Sequence, residues 1–260
     1  MSEALPGGLV RLEVADRIAT ILLDRPAKRN AVNRSVAEGL AAAVSAVEAD
    51  SSVDVAVLTG AGGVFCAGLD LVAAQGGDFG EVADRGFAGL VEAPRAKPLI
   101  AAVEGAALGG GLELALSCDL IVAAVDARVA LPEVSRGRIP GALGLLRLPH
   151  RLPFHIAMEL ALTGDPISVA RLHQLGLVNE VTAAGAAADA ARTLARRIAR
   201  NSPAAVTAAR DAIAETWRAD EEARHAVDAE RVALVAAGPD AAEGGRAFAE
   251  RREPRWVRSG

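Results

Sequence analysis

The sequence predicts an α/β body followed by a helical tail. Between Leu9 and Val125, short apolar runs rich in β-branched residues alternate with helical periodicity and glycine turns, the pattern of α/β proteins. From Phe154 onward the apolar spacing is almost entirely helical. The chain has 260 residues, 52% of them hydrophobic, enough to bury a substantial core without staples. That length allows one large domain or two smaller ones.

The elements follow in order. Leu9–Val14 and Ile18–Leu23 read as a hairpin across Ala15-Asp16-Arg17, with Asp24-Arg25-Pro26 ending the second strand. Asn33–Glu48 has helical periodicity. Val53–Thr59 is an apolar strand stopped by Gly60, Gly62 and Gly63. Leu99–Val103 is a further strand, followed by Gly105 and a helix starting near Gly109, and Leu120–Val125 is a third buried strand. The tail reads as helices over Phe154–Leu162, Ser168–Leu175, Ala186–Ala199, Pro203–Thr216, Glu221–Val235 and Asp240–Arg252. Ser202-Pro203 is a helix-start signal with Pro203 at the first helical position. Asn201 marks the expected boundary, giving an α/β core over 1–200 and a helical region over 201–260.

Bulk properties exclude several function classes. The net charge of −5 argues against nucleic acid as a partner, and the absence of tyrosine argues against a base-stacking platform. Met1–Pro6 lacks a charged-then-apolar leader, and Glu104, Glu113 and Asp119 interrupt the apolar stretch from Pro98 to Val125, so no membrane span is expected. Cys66 and Cys118 form no spaced cluster, which fits a reducing, cytoplasmic compartment. His150, His155, His173 and His225 lack ligand spacing, and no metal is expected. No Gly-X-Ser-X-Gly elbow is present, and Gly60-Ala61-Gly62 lacks the third glycine of a dinucleotide fingerprint.

Two glycine-rich segments and two glutamates carry the chemistry. Gly109-Gly110-Gly111 joins a strand to a helix and exposes free N–H groups at the helix start, where partial positive charge favours an anion. Close packing of the helix on a strand explains the same triplet equally well. Phe65-Cys66-Ala67-Gly68-Leu69-Asp70 follows another strand and could present the Leu69 N–H as a second donor, though alone it reads as a turn. Glu113 lies in the first helical turn among Leu112, Leu114, Ala115 and Leu116. A capping carboxylate would explain it, but a glutamate in apolar company needs a partner or a purpose. Glu133 follows Leu131-Pro132 in another apolar setting, where burial would raise its pKa and suit it to proton transfer.

From about Val10 to Trp256 the chain resembles the enoyl-CoA hydratase/isomerase, or crotonase, family. The first carrying motifs are Leu23-Asp24-Arg25-Pro26 with Asn30-Ala31, and Leu58-Thr59-Gly60 with Phe65–Asp70. Gly109–Ala115 with Cys118-Asp119 follows, then Leu131-Pro132-Glu133 with Ile139-Pro140-Gly141. Leu162-Thr163-Gly164 and Gly176-Leu177-Val178-Asn179 complete the order. The resemblance implies a spiral of ββα units with a C-terminal helical trimerisation region, and a homotrimer or dimer of trimers.

The implied activity is hydration of a 2-enoyl-CoA in fatty acid metabolism. The N–H groups of Leu69 and Gly110 would hold the thioester oxygen, Glu113 would act mainly as base on water, and Glu133 would mainly deliver the proton to C2. Coenzyme A enters as part of the substrate, and no separate cofactor is implied. Lys28, Arg29, Ala67, Asp70, Gly109, Pro132 and Gly141 would border the acyl-CoA, and Phe248 and Arg251 match a pair that closes over the coenzyme from a neighbouring subunit. A solvated basic loop and a solvated helix end are the competing readings for Lys28-Arg29 and Phe248/Arg251.

Two positions depart from the family pattern. Val72 stands where a lysine is frequent, and Leu145-Leu146-Arg147-Leu148 replaces a common Thr-Gln-Arg-Leu. The second departure is similar to branches resembling carnitinyl-CoA (crotonobetainyl-CoA) hydratases. Carnitinyl-CoA dehydration, enoyl-CoA isomerisation and acyl-CoA binding without turnover are the alternative readings. The stretch Ala73–Gly89 is expected to border the acyl pocket.

Overall fold

The computed structural model describes residues 3–256. The N-terminal half contains β1 (Glu3–Ala4), β2 (Val10–Ala15), β3 (Ile18–Leu23), α1 (Arg34–Ala49), β4 (Val55–Gly60) and α2 (Leu71–Gln75). Next come β5 (Glu81–Val82), β6 (Gly86–Phe87), β7 (Leu99–Val103), β8 (Ala106–Leu108), α3 (Gly110–Ser117), β9 (Leu120–Ala124) and β10 (Arg128–Ala130). Then follow α4 (Gly144–Arg151), α5 (Phe154–Thr163), β11 (Ile167–Ser168), α6 (Val169–Gln174) and β12 (Glu180–Thr182). The chain closes with α7 (Ala187–Ala199), α8 (Pro203–Ala236) and α9 (Pro239–Glu250).

The main sheet runs β1-β2-β3-β4-β7-β9-β12. Its first pairs are antiparallel, and every pair from β3 to β12 is parallel. The parallel strands are apolar throughout because both faces are covered. Alternation assigns the faces: Val55, Val57, Ile100, Ala102 and Val122 meet Ala187, Ala191 and Ala195 of α7. Ala56, Leu58, Ala101, Val103 and Ile121 point into the larger core with Leu40, Phe65, Leu112 and Leu116. Alanines at i, i+4 and i+8 of α7 form the stripe that lies on the strands.

A second layer repeats beside the first. β10 pairs β8 in parallel and β11 antiparallel. The bridges Cys66–Ala107 and Val32–Leu69 extend this layer toward the N-terminus. Each chain turn therefore lays one strand or bridge in each layer before a helix, as in β7–β8–α3. This is the crotonase-like ββα spiral, and it brings the segments around Leu69 and Gly110 side by side.

The helices differ from the sequence reading in three places, one of them α2, which that reading left out. Pro203–Thr216 and Glu221–Val235 are one continuous helix, α8, because no glycine or proline interrupts the intervening residues. The sequence reading left out α4, which contains Pro149 and starts after Leu143 in the left-handed region. Asn201 falls in the turn between α7 and α8. α8 and α9 then return to the body: Arg210 of α8 pairs with Asp119 at 2.9 Å, and Gly244 of α9 rests on the Arg136 backbone.

Candidate active site

The two glycine segments meet at the start of α3. Cys66 bridges Ala107, so Gly68 lies over Leu108 and Gly110. Gly68 has φ +87°, and a Cβ there would sit 2.5 Å from the Leu108 carbonyl oxygen and 3.1 Å from the Gly110 nitrogen. Only glycine permits this approach. The Gly68 carbonyl accepts from Val32 N–H, and Asp70 N–H donates to Val32, which fixes the turn on either side of Leu69. Among the described residues the Leu69 N–H has no acceptor. Gly110 opens α3, so its N–H has no helical carbonyl to bond. Two unused donors thus lie beside the start of α3, an arrangement able to hold an oxyanion.

Glu113 and Glu133 stand beside these donors. Glu113 is buried at 2% exposure, and its Oε1 accepts the N–H groups of Ala142 at 2.8 Å and Gly144 at 2.9 Å. Burial pushes its pKa up to about 7, against the opposing pull of those two N–H bonds and of Arg147. Glu133 lies in the Pro132–Arg136 turn against Gly109, where any side chain would overlap its Oε1. Its Oε2 is sealed from solvent with no hydrogen-bond partner. Burial first, and repulsion from Glu113 second, push Glu133 up to about 8. The Glu113 charge bears on Glu133, so the two titrate as a coupled pair with both carboxyls held above the ordinary range. The more strongly raised carboxyl suits a proton donor, and the one gripped by two N–H groups suits a base.

An enoyl-CoA hydratase/isomerase family model matches residues 13–259. The chain belongs to this family. A carnitinyl-CoA dehydratase from Proteus mirabilis (strain HI4320) is 39% identical over 258 residues, covering 95% of this chain and 97% of that protein. A 2,3-dehydroadipyl-CoA hydratase from Escherichia coli (strain K12) is 36% identical over 248 residues, covering 92% and 94%. Among solved structures, a carnitinyl-CoA hydratase from Mycobacterium avium superposes with a TM-score of 0.91 at 41% identity, covering 95% of this chain and 98% of that one. An enoyl-CoA hydratase from Mycobacterium tuberculosis H37Rv gives 0.79 at 50% identity, covering 96% and 98%.

The other residues implied by the enoyl-CoA hydratase/isomerase resemblance divide by position. Leu69, Gly109, Gly110, Glu113, Pro132 and Glu133 gather around the start of α3, and Ala67 precedes them with its N–H on the Arg29 carbonyl. Lys28 and Arg29 are exposed beside that loop. The Asp70 carboxylate is taken up by Arg25 at 2.7 Å and by the N–H groups of Val72 and Ala73, so it shapes the Leu69 turn. Gly141 lies under Val232 of α8, 3.3 Å from where a Cβ would stand. Phe248 carries the Arg136 guanidinium 5.1 Å from its ring centre, which ties α9 to the chain's own Glu133 turn, and Arg251 ends α9 exposed.

Several site residues escaped sequence reasoning. Phe87, read from sequence only as part of the 73–89 stretch, covers Gly110, 2.6 Å from where a Cβ would stand. Ala142 and Gly144 act through backbone alone. Asp228 comes from α8, and its charge helps raise Glu113. Nothing in their spacing from the glutamates marks them. Among the described residues no group of His, Cys, Asp and Glu is placed to hold a metal ion, and no helix is long and apolar enough to cross a membrane.

Proposed function

We propose that this site adds water across the C2=C3 bond of a 2-enoyl-CoA thioester and runs the reverse dehydration with the same groups. The thioester oxygen accepts the N–H groups of Leu69 and Gly110, which draws electron density from C3 through the conjugated system. Glu113 removes a proton from water as its oxygen bonds to C3. The C2=C3 electrons move into the enolate, which the two donors stabilise by about 2.7–4 kcal/mol each. Glu133 gives its proton to C2 and the carbonyl re-forms. The carrying observation is the pair of buried glutamates set beside two unused backbone donors at the start of α3. Coenzyme A belongs to the substrate, and the chemistry asks for no further group.

The relatives named as a carnitinyl-CoA dehydratase and a carnitinyl-CoA hydratase, with the Leu145-Leu146-Arg147-Leu148 sequence, favour carnitinyl-CoA as a second substrate reading. Free, buried Cys66 and Cys118 fit a cytoplasmic site of action, and a trimer or dimer of trimers is the assembly we expect. Loss of enone absorbance with crotonoyl-CoA tests the reaction. Glu113→Gln and Glu133→Gln should each slow it by about 10²–10⁴-fold. Full activity in either variant would overturn the assigned roles, and binding without turnover by the wild type would favour an acyl-CoA-binding protein.

A further inference from the structure

Arg147 is a buried cation that the proton-transfer scheme does not use. It lies in the first turn of α4, where its backbone N–H donates to the Leu143 carbonyl at 2.9 Å. The same turn grips the base, because the Gly144 N–H donates to Glu113 Oε1. This helix start has little of its own to hold it. Leu143 stands at φ +67°, a conformation that leucine rarely adopts, and its side chain gives the helix no cap. The Glu113 carboxylate takes the place of a cap, and its hold weakens each time Glu113 takes up a proton.

The Arg147 guanidinium supplies what the helix start lacks. Its Nε and Nη2 donate to the two oxygens of Glu221 on α8, at 3.1 and 3.2 Å. Nη2 also donates to the Val91 carbonyl at 2.9 Å. The Val91 N–H in turn donates to the Phe87 carbonyl, and the Phe87 ring covers Gly110. One planar fork therefore joins the helix start that grips Glu113, the Phe87 turn over the Gly110 donor, and α8. The joint has a cost. Arg147 is 8% exposed, its Nη1 is sealed with no hydrogen-bond partner among the described residues, and Arg151 adds a like charge one turn on. An apolar side chain of similar length would fill the space without an unpaired buried donor. What it could not do is fix three segments at one point.

We propose, on the hydration reading of the site, that Arg147 is a positioning residue that holds the Glu113 anchor and the Phe87 turn in register for proton transfer. It acts through the α4 start and the Val91 carbonyl, away from the reacting atoms. Its charge adds a second effect. The charged groups that act on Glu113 are Arg147 from α4, Asp228 from α8 and Glu133 from the 132–136 turn, and of these Arg147 alone favours the ionised base.

Two variants separate the fork from the charge. Arg147→Met keeps the length and removes both, and Arg147→Lys keeps the charge and removes the fork. With crotonoyl-CoA each should lower kcat by about 10–10²-fold with KM little changed. The acid limb of the kcat/KM pH profile should move to higher pH in Arg147→Met, since loss of the cation raises Glu113 further, and should stay in place in Arg147→Lys. Hydrogen exchange of the full chain, read peptide by peptide, follows the same variants without turnover. Exchange should quicken in 141–148 and 86–92 and stay unchanged in α7. A wild-type kcat or an unmoved acid limb in Arg147→Met would overturn the proposal. So would exchange that quickens in α7 as much as in the two segments, because that marks general packing. If Arg147→Met does not fold, the kcat and exchange of Arg147→Lys decide. If the wild type hydrates no enoyl-CoA, the hydration reading falls, and the exchange pattern still decides whether Arg147 holds the Glu113 anchor.

Discussion

At Glu133 a single buried oxygen links activity to stability. Its Oε2 has no hydrogen-bond partner, and the carboxyl is raised to about 8 from an ordinary value near 4.5. The folded state therefore holds this proton more tightly than the unfolded chain does. Its contribution to stability is fullest below pH 4.5 and is lost as pH rises through 8. A neutral amide of the same shape removes that dependence. Glu133→Gln should melt higher than the wild type at pH 9, on the order of 5 °C, and the difference should shrink toward zero at pH 4. Thermal denaturation at the two values measures it. A difference independent of pH would show that Glu133 ionises in the fold as it does in water. The site thus keeps an unfavourable group where proton transfer needs one, and the variant should be more stable while losing turnover.

α7 shows what an element contributes when its residues are small. Ala187, Ala191 and Ala195 are fully buried against Val55, Val57, Ile100 and Val122. Ala191→Leu adds bulk at the middle of that contact and should destabilise the fold by about 1–3 kcal/mol. A lowered urea midpoint with an unchanged slope reads it out, and an unmoved midpoint would mean that α7 does not bear on the sheet. This helix, the β2–β3 hairpin and α1 were legible because each keeps one apolar period throughout, and Asn33 caps α1 on the Val36 N–H. α4 was hidden by Pro149 and by the left-handed Leu143 before it. β8 and β10 are three residues long, too short for a periodicity, and the spiral supplies their partners. The site divides in the same way. Glu113 and Glu133 stood out as acids in apolar runs. The N–H groups of Ala142 and Gly144, and the Asp228 carboxylate, arrive from distant segments, and only folding brings them there.

At the scale of the whole molecule, an apolar stripe along α5 is left uncovered among the described residues. Phe154, Met158 and Leu162 stand one turn apart at 62%, 39% and 68% exposure. A run of this kind on one helix face marks a surface that is covered in use. The simplest cover is a second copy of the same chain, since most soluble oligomers are closed and symmetric. A trimer, or a dimer of trimers, is the assembly expected from the family. Sedimentation equilibrium of the wild type at micromolar concentration should give that mass. Phe154→Glu with Leu162→Glu should shift it toward the monomer, because two carboxylates would be desolvated at each contact. The proposed donors and both acids belong to one chain, so the dissociated variant should keep measurable hydration of crotonoyl-CoA. A wild type that sediments as a monomer would remove the assembly from the account and leave the stripe to another partner.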